Sequence, residues 1–305
     1  MKFRQIQLFQ LNERISFSPT ELANQLTQFA FEPCLPSMST SVGWVSPHTD
    51  EEDAPLFRAI NDRVMLCLQI EEKILPAGVI RQHLYEKIRK LEIAEARKIR
   101  LKEKNSLKDE IIMTLLPRAF SRLHRIYCYI DLRKQWLVVG STHSKHTEQL
   151  IHLFQKSLAK NVASVKIEGL PSRMTHWLKS QDYPAILAIE KSCLLQDPDQ
   201  QARTIRCQQQ DLNAEAIQAL LKTGCQLKQL RLSWQDQVHF TLSDPFMLQG
   251  VQFQEEVITR LREMDPETAE QQFDADFFIT SELMTQLLAE LLSICEVKED
   301  LNAVA

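Results

Sequence analysis

Apolar and polar positions change rhythm several times along the chain, and each change marks an element. Residues 3–11 read as a first strand. Ser18-Pro19-Thr20-Glu21 then opens a helix: Ser18 can cap it, Pro19 suits the first turn, and Glu21 stands at the third helical position. Leu22, Leu26 and Phe29 give that helix an apolar face. Gly43-Trp44-Val45 and residues 64–70 read as strands, with a polar, acidic surface loop over 46–55 between them. Further on, 122–130 and 136–142 predict a hairpin around Leu132-Arg133-Lys134-Gln135. A helix over 145–158 and a strand near 164–167 follow. Residues 204–207 read as a strand, and Asn213 caps a helix that ends at Gly224, which suits a left-handed C-cap. Leu230, Leu232 and Trp234 alternate, as do Val238, Phe240 and Leu242, which predicts a second hairpin. A final helix covers 280–295.

The longest helical pattern lies between these parts. After Pro76 and Gly78, residues 79–104 predict one helix, about 39 Å long at about 1.5 Å per residue. Ile80, Leu84, Ile88, Leu91 and Ala94 form one stripe, which past Ala94 becomes Glu95, Lys98 and Lys102. The first half is therefore expected to pack on the core and the second to project. Arg89, Lys90, Arg97, Arg100 and Lys104 share one side, and Glu92, Glu95 and Glu103 another. Ser106 with Asp109 reads as the start of another helix, closed by Pro117.

Hairpins outnumber βαβ signals, so the expected fold is α+β: antiparallel sheets with packed helices and a projecting long basic helix. The expected division is a central α+β region (1–75 with 107–168), a projecting helical region (76–106), a second α+β region (169–250) and an acidic helical region (251–305). No apolar run approaches the roughly 20 residues that cross a bilayer. The N-terminus lacks the apolar stretch of a signal peptide, and the expected location is the cytoplasm. The seven cysteines contain no C-x-x-C pair, which predicts reduced thiols rather than a zinc knot or disulfide framework.

A net charge of −4 argues against a nucleic-acid partner, but its distribution argues the other way. Residues 81–134 hold 15 Lys and Arg against 7 Asp and Glu, whereas 251–305 hold 3 against 13. Such polarity creates a positive and a negative surface if the fold separates them, or a pair of mutually neutralising regions if it does not. A basic face on a projecting helix is what phosphate contact requires, because Lys and Arg there release condensed counterions. Arg118, Arg122 and Arg125 can extend that face, with Phe120 among them as a core residue, a subunit contact or a base-stacking platform.

The sequence holds no phosphate-cradling glycine motif and no nucleophile elbow. His143-Ser144-Lys145-His146, with His152 beyond, has loose metal-like spacing, but the intervening lysine and the lack of a nearby cysteine read as a surface cluster. Asp274 and Asp276 are the best candidates for chemistry: in an extended segment they would point the same way and could hold Mg²⁺. Trp44, Trp136, Trp177 and Trp234 are scattered and read as core.

Several blocks resemble one family in order. They are Glu71-Glu72-Lys73-Ile74-Leu75-Pro76, Ala96-Arg97-Lys98, Ser106-Leu107-Lys108-Asp109-Glu110, Leu115-Leu116-Pro117-Arg118-Ala119-Phe120-Ser121-Arg122 and Phe273-Asp274-Ala275-Asp276-Phe277. Phe31-Glu32-Pro33-Cys34 and Gly43-Trp44-Val45 fit in looser outline. Together they resemble the RdgC family of recombination-associated proteins over nearly the whole length. The resemblance implies a ring-shaped homodimer whose positively lined hole passes duplex DNA with little sequence preference. It further implies restraint of the RecA recombinase, association with the nucleoid, no cofactor and no catalysis. The expected DNA-binding residues are Arg89, Lys90, Arg97, Lys98, Arg100, Lys102, Lys104, Arg118, Arg122 and Arg125, with Phe120 at the dimer interface. Gln208 and Gln209 stand where related sequences can carry basic residues, so that segment is left out of the expected site. The alternatives are a metal-dependent nuclease using Asp274 and Asp276, or a protein-interaction module.

Overall fold

The computed structural model describes residues 3–49, 51, 54–200, 202–254, 257, 259 and 268–296. In chain order the elements are β1 (Gln5–Leu11), α1 (Pro19–Thr27), β2 (Thr40–Val45), β3 (Phe57–Ile60), β4 (Arg63–Ile74), α2 (Ala77–Glu95) and α3 (Leu101–Leu115). A 3-10 turn (Leu116–Arg118) leads to β5 (Phe120–Asp131), β6 (Trp136–Val139), α4 (Ser144–Leu158), β7 (Val162–Ser164) and α5 (Leu170–Ser180). The rest is β8 (Leu187–Gln196), β9 (Thr204–Gln208), α6 (Glu215–Lys222), β10 (Gln226–Trp234), β11 (Val238–Ser243), β12 (Met247–Phe253) and α7 (Ala269–Glu296).

Among the described residues all twelve strands belong to one sheet, in the order β2-β4-β5-β6-β1-β12-β11-β10-β8-β9, with β3 on β4 and β7 on β1. Every strand pair is antiparallel. The expected α+β class is the one observed.

Alternation along the central strands separates two cores. Ile6 and Leu8 of β1, Tyr129 of β5, and Trp136 and Val138 of β6 face one side. Phe9 and Leu11 of β1, Val64, Leu66, Leu68 and Ile70 of β4, and Ile126, Cys128 and Ile130 of β5 face the other. This second face is covered by Leu22 and Leu26 of α1 and by Leu150, Leu153, Phe154 and Leu158 of α4. The first is covered by α5, through Leu170, Met174 and Trp177, and by α7, through Phe277, Met284, Leu287, Leu288 and Leu291. All four tryptophans are buried, as their scatter suggested. Beside Trp44, residues 29–31 lie against β2: Phe31 N–H donates to the Trp44 carbonyl at 2.9 Å. A Cβ on Gly43 would stand 2.3 Å from Phe31 Cα, so only glycine fits there.

Helix α7 begins at Ala269, eleven residues before the expected start at Thr280. By length and composition it could cross a membrane. Its polar residues instead meet the sheet. Thr285 donates to Asp131 at 3.1 Å, Glu282 pairs with Arg63 at 2.7 Å, and Glu290 accepts from the Trp234 indole at 2.6 Å. The same side chains that interrupt the apolar run thus fix the helix on the sheet.

The expected single helix over 79–104 is not observed. The chain forms a helical hairpin: α2 ends where Ala96 takes a left-handed conformation (φ 51°), and α3 begins at Leu101, so Ser106 lies inside α3 and does not start it. Local hydrogen bonds hold the break. Glu92 accepts the Ile99 N–H at 3.0 Å, and Glu103 accepts the Arg100 N–H at 3.4 Å. Ile99 is buried between the helices, which pack on each other. The strand near 164–167 is also shifted, to Val162–Ser164, and α5 and β8 lie where no element was expected.

Candidate nucleic-acid interface

Strands β4 and β5 pair over twelve residues each, from Arg63 opposite Asp131 to Ile74 opposite Phe120. Their Arg63 end is buried, and burial fades along the pair until Phe120, Ser121, Arg122 and Leu123 are exposed. The two strands form a stalk, and the α2–α3 hairpin projects from its outer end as an arm. Helix α2 buries none of its own residues and α3 buries only Ile111, which separates the arm from both cores.

The arm and its 3-10 turn, residues 77–118, carry eleven Lys and Arg against six Asp and Glu. Most of those acids are engaged within the arm. Glu110 pairs with Lys87 at 2.7 Å across the two helices, and Glu95 and Glu103 hold Arg97 at 2.7 and 2.9 Å. Glu92 caps Ile99, as described, and Glu86 accepts from Gln82. The Arg97 contact holds the Glu103 carboxyl below its ordinary range and raises the Arg97 guanidinium. Arg97 is therefore a brace at the hairpin turn rather than an unengaged cation. Arg89, Lys90, Lys98, Lys102, Lys104, Arg118 and Arg122 have no ion pair among the described residues, and Arg100 occupies the N-cap of α3. Sequence had sorted these charges on one straight helix. The structure distributes them over two antiparallel helices and the turn between.

The stalk arginines do not share one surface. In β5 the two-residue period puts Phe120, Arg122 and His124 on one side and Leu123 and Arg125 on the other. Arg125 donates to Gln69 at 3.0 Å. Phe120 is not a core residue: it is 85% exposed, opposite Ile74 at 47%, while Leu123, on the other side of the strand, is 58% exposed. Gln208 closes β9, an edge strand at the other end of the sheet order, and Gln209 adopts a left-handed turn (φ 53°).

The alternative chemical site does not assemble as expected. Asp274 and Asp276 lie on α7, not in an extended segment, and two residues on a helix diverge by about 200°. Asp274 is paired with Arg58, which Glu270 also contacts at 2.7 Å, and Asp276 accepts from Gln272 at 2.7 Å. With Glu282 on Arg63, these C-terminal acids serve β3 and β4 rather than the arm. The acidic stretch 255–267 lies almost entirely outside the described residues.

A mixed α+β body bearing a charged helical arm on a two-stranded stalk is the class of protein defined by these features. The chain belongs to the RdgC family: the family model described as "Putative exonuclease, RdgC" matches residues 1–298. It is similar to the recombination-associated protein RdgC of Proteus mirabilis (strain HI4320), 34% identical over 294 residues that cover 96% of this chain and 97% of the relative. The RdgC of Yersinia enterocolitica (serotype O:8 / biotype 1B) is 33% identical over 292 residues, covering 95% and 96% respectively.

Proposed function

We propose that this recombination-associated protein binds duplex DNA without sequence preference, encircling it as a ring-shaped homodimer on the nucleoid in the cytoplasm. By occupying DNA it restrains RecA-driven recombination, and it performs no catalysis and needs no cofactor to bind. One observation carries the reading. The arm engages five of its six acids in internal contacts while Arg89, Lys90, Lys98, Lys102 and Lys104 remain without a described ionic partner. Unpaired cations on a projecting element suit phosphate contact, and no base-reading module accompanies them. Competition between unrelated duplexes of equal length is expected to show affinities within about tenfold, well under the gap of a specific binder. One strongly preferred site would contradict the proposal.

The exonuclease wording of the family model motivates one alternative, metal-dependent cleavage through Asp274 and Asp276. Their divergence on α7 and the Arg58 contact speak against it. DNA degradation with Mg²⁺ that vanishes in Asp274→Ala would favour the alternative.

The dimer rests on the apolar tip of the stalk. An exposed phenylalanine beside Ile74 loses the burial that a partner surface would return. Phe120→Ser is expected to raise the dimer dissociation constant at least about tenfold, corresponding to loss of a buried aromatic anchor worth about 2 kcal/mol. Sedimentation velocity across a dilution series measures this. A variant that stays dimeric but loses DNA would instead assign Phe120 to base stacking.

A further inference from the structure

Away from the unpaired cations of the arm, three histidines and a glutamate converge toward the outer end of the stalk. The β4–β5 register sets Ile70 opposite His124 and Glu72 opposite Arg122, so Glu72 and His124 are diagonal neighbours on one face. That face is the one whose buried part holds Ile70 and Ile126. The first turn of α4 lies over it. His143 is the N-cap residue of α4 and His146 follows at the third helical position, so both project from one side of that turn. Ligand atoms of Glu72, His124 and His146 all lie within 4.8 Å of one another, each on a half-buried residue. The His143 and His146 rings stand 4.3 Å apart between centroids, and those of His124 and His146 4.8 Å apart.

We propose that Glu72, His124 and His146 bind a divalent transition-metal ion of the zinc type, with His143 placed to supply a fourth ligand. Imidazole and carboxylate in this ratio form a ligand set suited to zinc, and the arrangement leaves no need for a thiolate. A tetrahedron with bonds of about 2.0–2.1 Å has edges of about 3.3 Å, so small side-chain rotations close the present spacing onto an ion. Lys145 pairs with one Glu72 oxygen and can keep it while the other oxygen turns to the metal. Burial, followed by the neighbouring charges of His143 and His124, lowers the His146 pKa, which keeps its lone pair available near neutral pH. Lys145 adds to this lowering, and Glu72, which faces the same ring, opposes it. The lysine that makes His143-Ser144-Lys145-His146 read as a surface cluster thus belongs to the carboxylate, and two of the ligands arrive from strands far away in sequence. A bound ion would tie the start of α4 to the stalk that carries the arm.

The test uses the full-length, tag-free chain titrated with Co²⁺ as a spectroscopic probe and then with Zn²⁺. One Co²⁺ per chain is expected, with the visible absorption of a four-coordinate ion, displaced by Zn²⁺. His124→Gln and His146→Gln are each expected to weaken binding at least about tenfold, and Cys34→Ser to leave it unchanged. Zn²⁺ should raise the melting temperature of the parent chain but not of either histidine variant. Binding should weaken as pH falls and protons compete with the metal for its ligand atoms. Absence of stoichiometric binding by the parent chain would overturn the proposal, as would unaltered affinity in two histidine variants that retain the parent's circular dichroism.

Discussion

Changing Lys98, Lys102 and Lys104 together to Gln is expected to weaken duplex binding about 500-fold at 0.1 M salt, on a loss of three phosphate contacts. Each contact contributes about 0.9 to the slope of log affinity against log salt, so losing three contacts from the complex should lower the slope by about 2.7. With affinities converging near 1 M salt, one decade of dilution separates the two proteins by that power of ten. The three lysines cluster around the turn of the arm, and none has an ionic partner among the described residues. Arg97 lies beside them but is held by Glu95 and Glu103, so Arg97→Gln should alter the slope far less and loosen the hairpin turn instead. Fluorescence anisotropy over a salt series distinguishes the two. Equal slopes for the parent and the triple variant would remove the arm from the DNA surface. Stability should stay within about 1 kcal/mol, since these are surface positions outside both cores.

The second large effect concerns stability. Asp131→Ala is expected to cost about 3–5 kcal/mol, the usual penalty for breaking a buried ion pair. The Asp131 side chain is 2% exposed and accepts four hydrogen bonds: from Arg63 at 3.2 Å, Thr285 at 3.1 Å, and the N–H groups of Arg133 and Lys134 at 3.0 and 2.9 Å. One carboxylate thus joins β4, the β5–β6 turn and α7. Removing it leaves the Arg63 guanidinium buried, with Glu282 as its remaining partner. Asp131→Asn retains acceptor capacity and should cost less. Urea denaturation measures both, and a loss under about 1 kcal/mol for the alanine variant would mean that solvent replaces the network easily.

What could be read from the sequence follows from the range of the interactions involved. Helix α1 was legible because its cap is local: the Ser18 hydroxyl accepts the Glu21 N–H at 3.2 Å. Both hairpins were legible because alternation and turn lie within a few residues of each other. The break at Ala96 was not, because alanine is a strong helix former and no glycine or proline marks the turn. The available signal was a change of phase, with Ile99 off the earlier stripe and Glu103 placed to cap Arg100. The basic character of the region was legible by counting, whereas the pairing that removes Arg97 from the surface depended on the turn itself. The start of α7 was missed because the partner of Glu270 and Asp274 in its first turns, Arg58, lies on β3, more than two hundred residues earlier. The meeting of Glu72 and His124 with His146 depends on strand register in the same way.

The first strand of the chain sits mid-sheet, with β6 on one side and β12 on the other, where Gln5 faces Gln249. During synthesis, β1 therefore waits for its last neighbour. At about 5–20 residues per second, at least about 12 s pass before that neighbour emerges from the ribosome. Through that interval, with β7 covering only Phe9–Leu11, the nascent chain presents the Gln5–Gln7 part of that strand edge open, the kind of surface on which unfinished proteins associate. Chains cut short before residue 247 would keep that edge permanently, so quality control of truncated products matters more here than for a protein whose strands pair in the order they are made.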